Sequence, residues 1–397
     1  MSPAPVRVAL IGTRGFGAVH LRTLARLEEA GTARLVGVVD VAEPPAELAA
    51  LHHRSLADLL AATPVEDRPQ IVAIATPIDT HVPLATEALA AGLDVYLEKP
   101  PVPALADHRP LLEAARAAGR SVQVGFQARG GGGVDVLRRE VAEGASGASG
   151  GLGPVTAVHV YGAWQRDRAY YARSAWAGKR RLDGRRVADG VATNPLAHSV
   201  HAGLAIAGID EVADIAGVTT ELRRAHDIQA DDTTFLRIDP TGTGPAVVCA
   251  LTTTAPAQSS PWVEISGPRG SHRLYYTEDR SVRTSADGAR EELTHERVDL
   301  MENLIAHVRD RQVPLLSSLA STGVFSAVLE AIQTVPDPLP IETGVTWRGE
   351  GAAAHPVVEH IEETLQAALT AGRPFSELGV SWAREDAVHR WTPPAGA

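Results

Sequence analysis

The sequence predicts an α/β chain in two parts. A doubly wound parallel sheet runs to about residue 126, and an α+β domain on a large, open, mostly antiparallel sheet follows. Three observations predict it. Short, continuously apolar runs alternate with helical patterns through the first part, as parallel strands buried on both faces do. A glycine-rich turn follows the first run and opens the first helix. Past about residue 150 the strand-like runs crowd together with few helices between them.

Val6–Ile11 is the first apolar run, and after the glycine turn a helical pattern extends to about Ala30. Leu35–Asp40, Ile71–Ala75, Asp94–Leu97 and Val122–Phe126 are the next strands. Helical spacing fills Leu56–Ala62, Pro83–Ala91 and Ala104–Ala118. "RGGGG" (Arg129–Gly133) and "GASGASGGLG" (Gly144–Gly153) are loop compositions around a short helical stretch. The second set of strands is Val155–Tyr161, Asp214–Thr220, Thr233–Ile238, Ala246–Thr253, Trp262–Ser266 and His272–Tyr276, with helices over Pro195–Ala207 and Met301–Arg309. "VPDPLP" (Val335–Pro340) is a connector, and Val357 to about Ala371 is helical before a tail. The expected division is 1–126, 127–345 and a C-terminal helix and tail, 346–397, packing on the preceding domains.

Composition narrows the function. Hydrophobic residues make up 44% and charged ones 21%, as in an ordinary globular chain. No run is long and apolar enough for a membrane span, and "MSPAPVRVALIG" lacks the charged start of a secretory signal. Cys249 is the single cysteine, which excludes an internal disulfide framework and a cysteine-rich zinc site. A cytoplasmic location is expected. A formal net charge of −11 opposes nucleic-acid binding. "GKRRLDGRR" (Gly178–Arg186) is the local exception and reads either as a solvated loop or as an anion site. His52 and His53 are adjacent and cannot face one ion, and no metal-ligand spacing or Gly-x-Ser-x-Gly elbow appears.

The turn "ALIGTRGFGAVHLRTL" places Gly12 and Gly17 at the first and third glycine positions of a dinucleotide-binding fingerprint. Glycine there allows a tight turn and a close helix, with the helix N-terminus facing a pyrophosphate. Arg14 stands at the middle position, with Thr13, Gly15 and Phe16 completing the turn. Asp40 closes the second strand, where a carboxylate accepts ribose hydroxyls and repels a 2′-phosphate. NAD is expected on that ground. Arg14 keeps NADP open, since a guanidinium can meet a phosphate.

With that turn, "ATPIDTH" (Ala75–His81), "LATEALAAGLDVYLEKP" (Leu84–Pro100) and "VGFQAR" (Val124–Arg129), the sequence resembles the glucose–fructose oxidoreductase/inositol dehydrogenase (Gfo/Idh/MocA) family. The Glu98-Lys99-Pro100 tripeptide is the most specific element. The resemblance implies an N-terminal Rossmann domain, an open-sheet second domain, and a nicotinamide-dependent oxidoreductase acting on sugars or polyols. It implies cofactor contacts from Thr76, Pro77, His81, Glu98, Lys99 and Gln127, and assembly into a homodimer or homotetramer. Ligands of open parallel sheets lie beyond the carboxyl ends of the strands, where Lys99 falls. A cationic nicotinamide depresses the pKa of a nearby ammonium, which suits Lys99 to proton transfer or to polarising a hydroxyl.

The resemblance also implies an Asp with a His four residues later at a helix start. The matching stretch, "DGVATNPLAHSVHAGLAIAG" (Asp189–Gly208), has His198 in the histidine position and Asn194 in that of the acid. Asn194-Pro195 also reads as an N-cap and first helical residue on its own account. Helical spacing sets Leu196, Val200 and Leu204 on one face and Asn194, His198 and His201 on the other. Between these elements "GAWQRDRAYYARSAWAGKRRLDG" supplies Trp164, Tyr170, Tyr171 and Trp176 as stacking surfaces, and Arg166, Lys179 and Arg180 as hydroxyl or anion ligands. Core packing is the competing use of those aromatics. The expected function is an NAD(P)-dependent dehydrogenase of a sugar, cyclitol or related polyol, with Lys99, His198 and Asn194 at the reacting centre. The alternatives are glycoside cleavage with transient oxidation by NAD, and a non-catalytic binding or regulatory relative.

Overall fold

The structure is a computed structural model, and it describes residues 4–146, 151–383 and 387–394. Part of the glycine-serine loop at Gly144–Gly153 therefore lies outside the described residues. The chain divides into two compact units, Met1–Phe126 with Val298–Thr322, and Gln127–Arg297 with Gly323–Ala397.

The first unit is a six-stranded sheet of β1 (Val6–Ile11), β2 (Ala33–Val39), β3 (His52–His53), β4 (Ile71–Ile74), β5 (Asp94–Leu97) and β6 (Val122–Val124). Its order is β3-β2-β1-β4-β5-β6 and every pairing is parallel. Helices α1 (Phe16–Glu29), α2 (Leu56–Ala62), α3 (His81–Ala90) and α4 (Leu105–Ala118) make the crossovers. Strands β4 and β5 are buried at every residue, which is why they read as unbroken apolar runs. The helix expected over Met301–Arg309 in the second domain forms at Leu300–Arg309 and folds back into this unit. Its Leu300, Met301, Leu304 and Ile305 join the core of Val8, Leu10, Leu24 and Tyr96. The return is pinned by polar bonds. Gln123 donates to Asn303 at 2.7 Å, Val124 N–H donates to the Ser317 carbonyl at 2.7 Å, and Arg311 makes two bonds to buried Asp94 at 2.8 and 2.7 Å.

In the second unit come α5 (Gly133–Ser146), β7 (Ala157–Ala163), α6 (Arg168–Ala172), the short β8 (Arg181–Leu182) and β9 (Arg185–Arg186), α7 (Ala197–Ala207), β10 (Ile215–Arg224) and β11 (Thr233–Pro240). Then follow β12 (Ala246–Thr252), β13 (Trp262–Gly267), β14 (Gly270–Tyr275), β15 (Arg280–Ser285) and β16 (Arg290–Thr294). After the returning helix, counted α8, come α9 (Gly323–Thr334), β17 (Leu339–Pro340), β18 (Val345–Arg348), β19 (His355–Val358), α10 (Ile361–Ala371) and β20 (Val388–Trp391). The large sheet runs β16-β15-β14-β13-β7-β12-β11-β10-β17, with β20 also on β10. Only β7–β12 and β10–β17 pair in parallel among the described residues.

Helix α7 lies tightly on this sheet. A Cβ on Gly203 would sit 2.5 Å from Val160 Cγ2, and one on Gly162 would sit 2.5 Å from Leu196 Cδ1, so both contacts require glycine. The far face packs on α10 through Val248, Ala250, Leu365 and Leu369, which places the C-terminal segment inside this unit. Several elements were not anticipated, among them α9, β15, β16 and β18. Helix α9 is buried at ten of its twelve positions and so shows no polar stripe. Strands β15 and β16 are rich in Arg, Glu, Ser and Thr at the sheet edge, and β18 is mostly exposed. Among the described residues no helix is long and apolar enough to cross a membrane.

Candidate functional site

The first unit brings the dinucleotide signature together at the carboxyl ends of β1, β2, β4 and β5. Gly12 follows β1 with φ +86°, and a Cβ there would lie 2.5 Å from the Ala75 carbonyl oxygen. Gly17 opens α1, and its Cβ would meet the Gly12 oxygen at 2.0 Å. Both distances are far inside van der Waals contact, so the turn closes only on glycine. Gly15 has φ +57° with open space around it and serves as the N-terminal flank of α1. Arg14 and Phe16 are exposed at the tip, so Arg14 points away from the tight part of the turn.

Asp40 is held by that turn. Its Oδ2 accepts from Thr13 N–H at 2.9 Å and from Thr13 Oγ1 at 2.7 Å, and its Oδ1 accepts from Ala42 N–H at 3.0 Å. Burial pushes this carboxyl up, but those bonds and the nearby Arg14 charge outweigh it and hold Asp40 below its ordinary range. A carboxylate has about four lone-pair sites, so a fixed anion remains available to a ribose at the end of β2.

Two residues expected at the cofactor are turned inward. Glu98 is buried, its Oε1 lies 2.7 Å from His20 Nε2, and its Oε2 accepts from Lys99 N–H at 3.3 Å. His81 is buried as well, with Nδ1 2.9 Å from the Pro100 carbonyl and Nε2 2.9 Å from the Thr76 carbonyl. Burial pushes the His81 imidazole down against the pull of those carbonyls, Glu98 and Asp79. Both ring nitrogens face backbone, so His81 offers none to a ligand. Thr76 Oγ1 pairs with Thr80 Oγ1 at 2.6 Å beside exposed Pro77. Gln127 belongs to the second unit, where its carbonyl accepts from Arg297 at 2.7 Å.

The second unit holds the other group. Helix α7 begins at Ala197, with Leu196 as its N-cap and no side-chain cap bond, so Asn194 is not the cap its sequence suggests. Asn194 instead donates its amide to Asp189 Oδ1. Asp189 also accepts from Gly178 N–H at 2.7 Å and from Arg173 Nη2 at 3.1 Å. Burial raises the Asp189 carboxyl above its ordinary value despite these donors. Every residue of α7 except His198 is buried, and His198 is half-buried. His201, expected beside it, is 2% exposed and packs edge-on to Phe325 at 6.4 Å. It is a core histidine.

An Asn194→Asp variant tests the Asp189 arrangement. It replaces an amide donor with a second carboxylate against a buried one, removing a bond to a charged group worth about 1.5–3 kcal/mol. A carboxyl whose folded pKa is raised costs stability once pH exceeds that pKa, and the cost vanishes below the unfolded value. The variant should therefore melt below the parent at pH 8, with the gap closing toward pH 4. Thermal melts at both pH values check this.

The basic aromatic segment forms an alternating stack. The Arg166 guanidinium lies 4.6 Å from the Trp164 ring and 4.8 Å from Tyr170, and that of Arg173 lies 3.7 Å from Tyr170 and 4.7 Å from Trp176. Tyr171 OH pairs with Thr253 Oγ1 at 3.1 Å and burial raises its phenol well above the ordinary value, so it presents a ring and not an acid. Lys179, Tyr171, Arg224, Asp227 and Gln229 border a cavity of about 370 Å³. Arg180 departs from the expected role. It is 7% exposed and donates to the carbonyls of Ile332, Val335 and Pro336, each at 2.8 Å, closing the C-terminal end of α9. Arg173, Asp189 and His20 were missed from the sequence. Only Arg173, inside the basic aromatic run, carried a local signal. Among the described residues no cluster of three or more His, Cys, Asp or Glu could hold a metal.

The first unit is thus a dinucleotide-binding Rossmann fold with a lysine beyond its fifth strand. Residues 6–126 match the model of an oxidoreductase family with an NAD-binding Rossmann fold, GFO_IDH_MocA. Over these residues the chain is similar to the Gfo/Idh/MocA oxidoreductases. An inositol 2-dehydrogenase from Streptomyces avermitilis is 38% identical over 129 residues, 31% of this chain and 36% of that protein. One from Renibacterium salmoninarum is 34% identical over 148 residues, 36% of this chain and 43% of that protein. The match thus spans well under half the length of either relative. The fold likeness extends further. The WlbA dehydrogenase from Bordetella pertussis, solved with NADH and UDP-GlcNAcA, superposes with TM-score 0.64 at 23% identity, over 83% of this chain and 95% of that one. An inositol dehydrogenase homolog from Azotobacter vinelandii, solved with NADH and myo-inositol, gives 0.66 at 17% identity, over 83% and 95%.

Proposed function

We propose that the protein is an NAD-dependent dehydrogenase of a secondary alcohol on a sugar, cyclitol or related polyol. The observation that carries this reading is the placing of Lys99. It sits just past β5, on the same edge of the parallel sheet as the glycine turn and Asp40, where such sheets take their ligands. The residues present fit the cofactor. Gly12 and Gly17 let the turn close, Gly15 leaves open space for a pyrophosphate at the N-terminus of α1, and Asp40 would hold the adenosine ribose. The relatives' names, inositol 2-dehydrogenase, and the neighbours' NADH and myo-inositol or nucleotide-sugar ligands support the same chemistry.

Bound NAD supplies a hydride acceptor for the carbinol carbon. The protein's part is the proton. Lys99 holds the substrate hydroxyl and takes up or shares its proton as the carbonyl forms. In the second unit His198, the half-buried residue of α7, is the candidate general base. Trp164, Tyr170 and Trp176 offer faces to sugar C–H surfaces, and Lys179, at the edge of the cavity, would meet hydroxyls. The packing of Arg180 and His201 argues against a place for them there.

The test has two arms. NADH should accumulate when the protein is given NAD and a panel of cyclitols and sugars. NADH should also bind more tightly than NADPH, and Asp40→Ala should narrow the difference roughly tenfold, about the 1.4 kcal/mol of one charge-assisted bond. Tighter NADPH binding by the parent would assign Arg14 to a 2′-phosphate. Glycoside cleavage without net NADH would replace the dehydrogenase reading, and cofactor binding without any turnover would make the chain a binding relative.

A further inference from the structure

Lys99 is flanked on both sides by residues that a buried histidine holds. On one side His20, from α1, meets the Glu98 carboxylate at 2.7 Å, and its ring stands edge-on to Tyr96 at 4.9 Å. The carboxylate is boxed in from behind, since a Cβ on Gly125 would lie 3.0 Å from Glu98 Oε1. On the other side His81, from α3, has its two nitrogens on the carbonyls of Pro100 and Thr76, one in the loop after β5 and one in the loop after β4. A neutral imidazole donates to one of these carbonyls, and an imidazolium donates to both.

We propose that His20 and His81 are positioning residues that fix the loop bearing Lys99 from its two ends, through Glu98 and Pro100 respectively. Two helices on different crossovers thereby set where one ammonium stands. His20 lies one turn into the helix that opens at Gly17, so the brace also links the dinucleotide turn to Lys99. The Glu98 backbone N–H is already held by the Ile74 carbonyl at 3.0 Å, which leaves the side chain as the adjustable contact on that side. Only a residue one step from Lys99 is held in each case, so a loosened brace displaces the lysine before it disturbs the sheet. The proposal rests on the dehydrogenase reading for its catalytic consequence and on geometry alone for its structural one.

The sequence makes a direct test available. Of 37 basic side chains only Lys99 and Lys179 are lysines; the rest are arginines. Reductive methylation with [¹³C]formaldehyde therefore gives two side-chain signals, assigned with Lys99→Arg and Lys179→Arg. In His20→Leu and His81→Leu the Lys99 signal should move toward the position of a free methylated lysine, with Lys179 unmoved. His20→Gln and His81→Gln, which keep a donor, should recover most of the shift and guard against a leucine variant that fails to fold. If the parent oxidises a polyol, the leucine variants should lose about 10- to 100-fold in kcat, the cost of roughly 1 Å of misplacement, with NADH affinity within about twofold. A Lys99 signal that stays put in the folded variants overturns the brace. A parent that oxidises nothing overturns the dehydrogenase reading, while the two NMR signals still decide the brace.

Discussion

Lys99→Met should lower kcat by about two to four orders of magnitude, the range for a lost general acid or base, and leave NADH binding within a few-fold. Methionine keeps the length and the apolar stem of the lysine but can neither hold a proton nor donate to a hydroxyl. The dinucleotide contacts proposed for Gly12, Gly17 and Asp40 belong to other loops and are not touched by the change. Lys99→Arg separates charge from titration. A guanidinium keeps the positive charge but cannot give up its proton at working pH, so it should not restore the rate. Steady-state kinetics with NADH fluorescence titration checks all three forms. Full activity in Lys99→Met would remove the lysine from the chemistry.

Gly17→Ala should act on the fold and the cofactor together. Its Cβ would come within 2.0 Å of the Gly12 carbonyl oxygen, which is backbone and cannot swing aside as a side chain does. Either α1 moves off the turn or the turn opens. Overpacking of this kind costs about 3 kcal/mol, the upper end of the usual range, and a displaced helix N-terminus no longer faces a phosphate. A melt several degrees lower and a loss of NADH binding of tenfold or more are expected. Gly15→Ala is the control. Its added Cβ meets nothing within 4 Å, so only the backbone strain of φ +57° with ψ −119° remains, about 1–3 kcal/mol. Equal behaviour of the two variants would mean that close approach of α1 is not what the turn requires.

The first unit was legible because its information is local. A strand buried on both faces needs an unbroken apolar run, and Val6–Ile11 and Asp94–Leu97 have the same limits in the sequence reading and in the structure. A turn that admits no Cβ must be written in glycine, so Gly12 and Gly17 announce it. The returning helix Leu300–Arg309 was legible as a helix and not as a member of the first unit. Which core it joins is decided by Gln123–Asn303 and Asp94–Arg311, bonds across nearly two hundred residues or more.

Side-chain roles were the least legible, for the same reason. Asn194-Pro195 has the composition of a helix start, yet the helix starts at Ala197, and the Asn194 amide goes to the buried Asp189 carboxylate. Arg180 sits in a basic run that suits an anion, and only the arrival of α9, more than 150 residues later in the chain, turns it into a cap for three carbonyls. His201 shares a helix face with His198 by spacing, and Phe325 from α9 covers it. By itself the sequence determined which elements form in the first unit, where the dinucleotide turn lies and that Lys99 follows the fifth strand, since each depends on residues close together in the chain. Tertiary structure alone decided which polar groups are left to meet a ligand, because that depends on what packs against them from elsewhere.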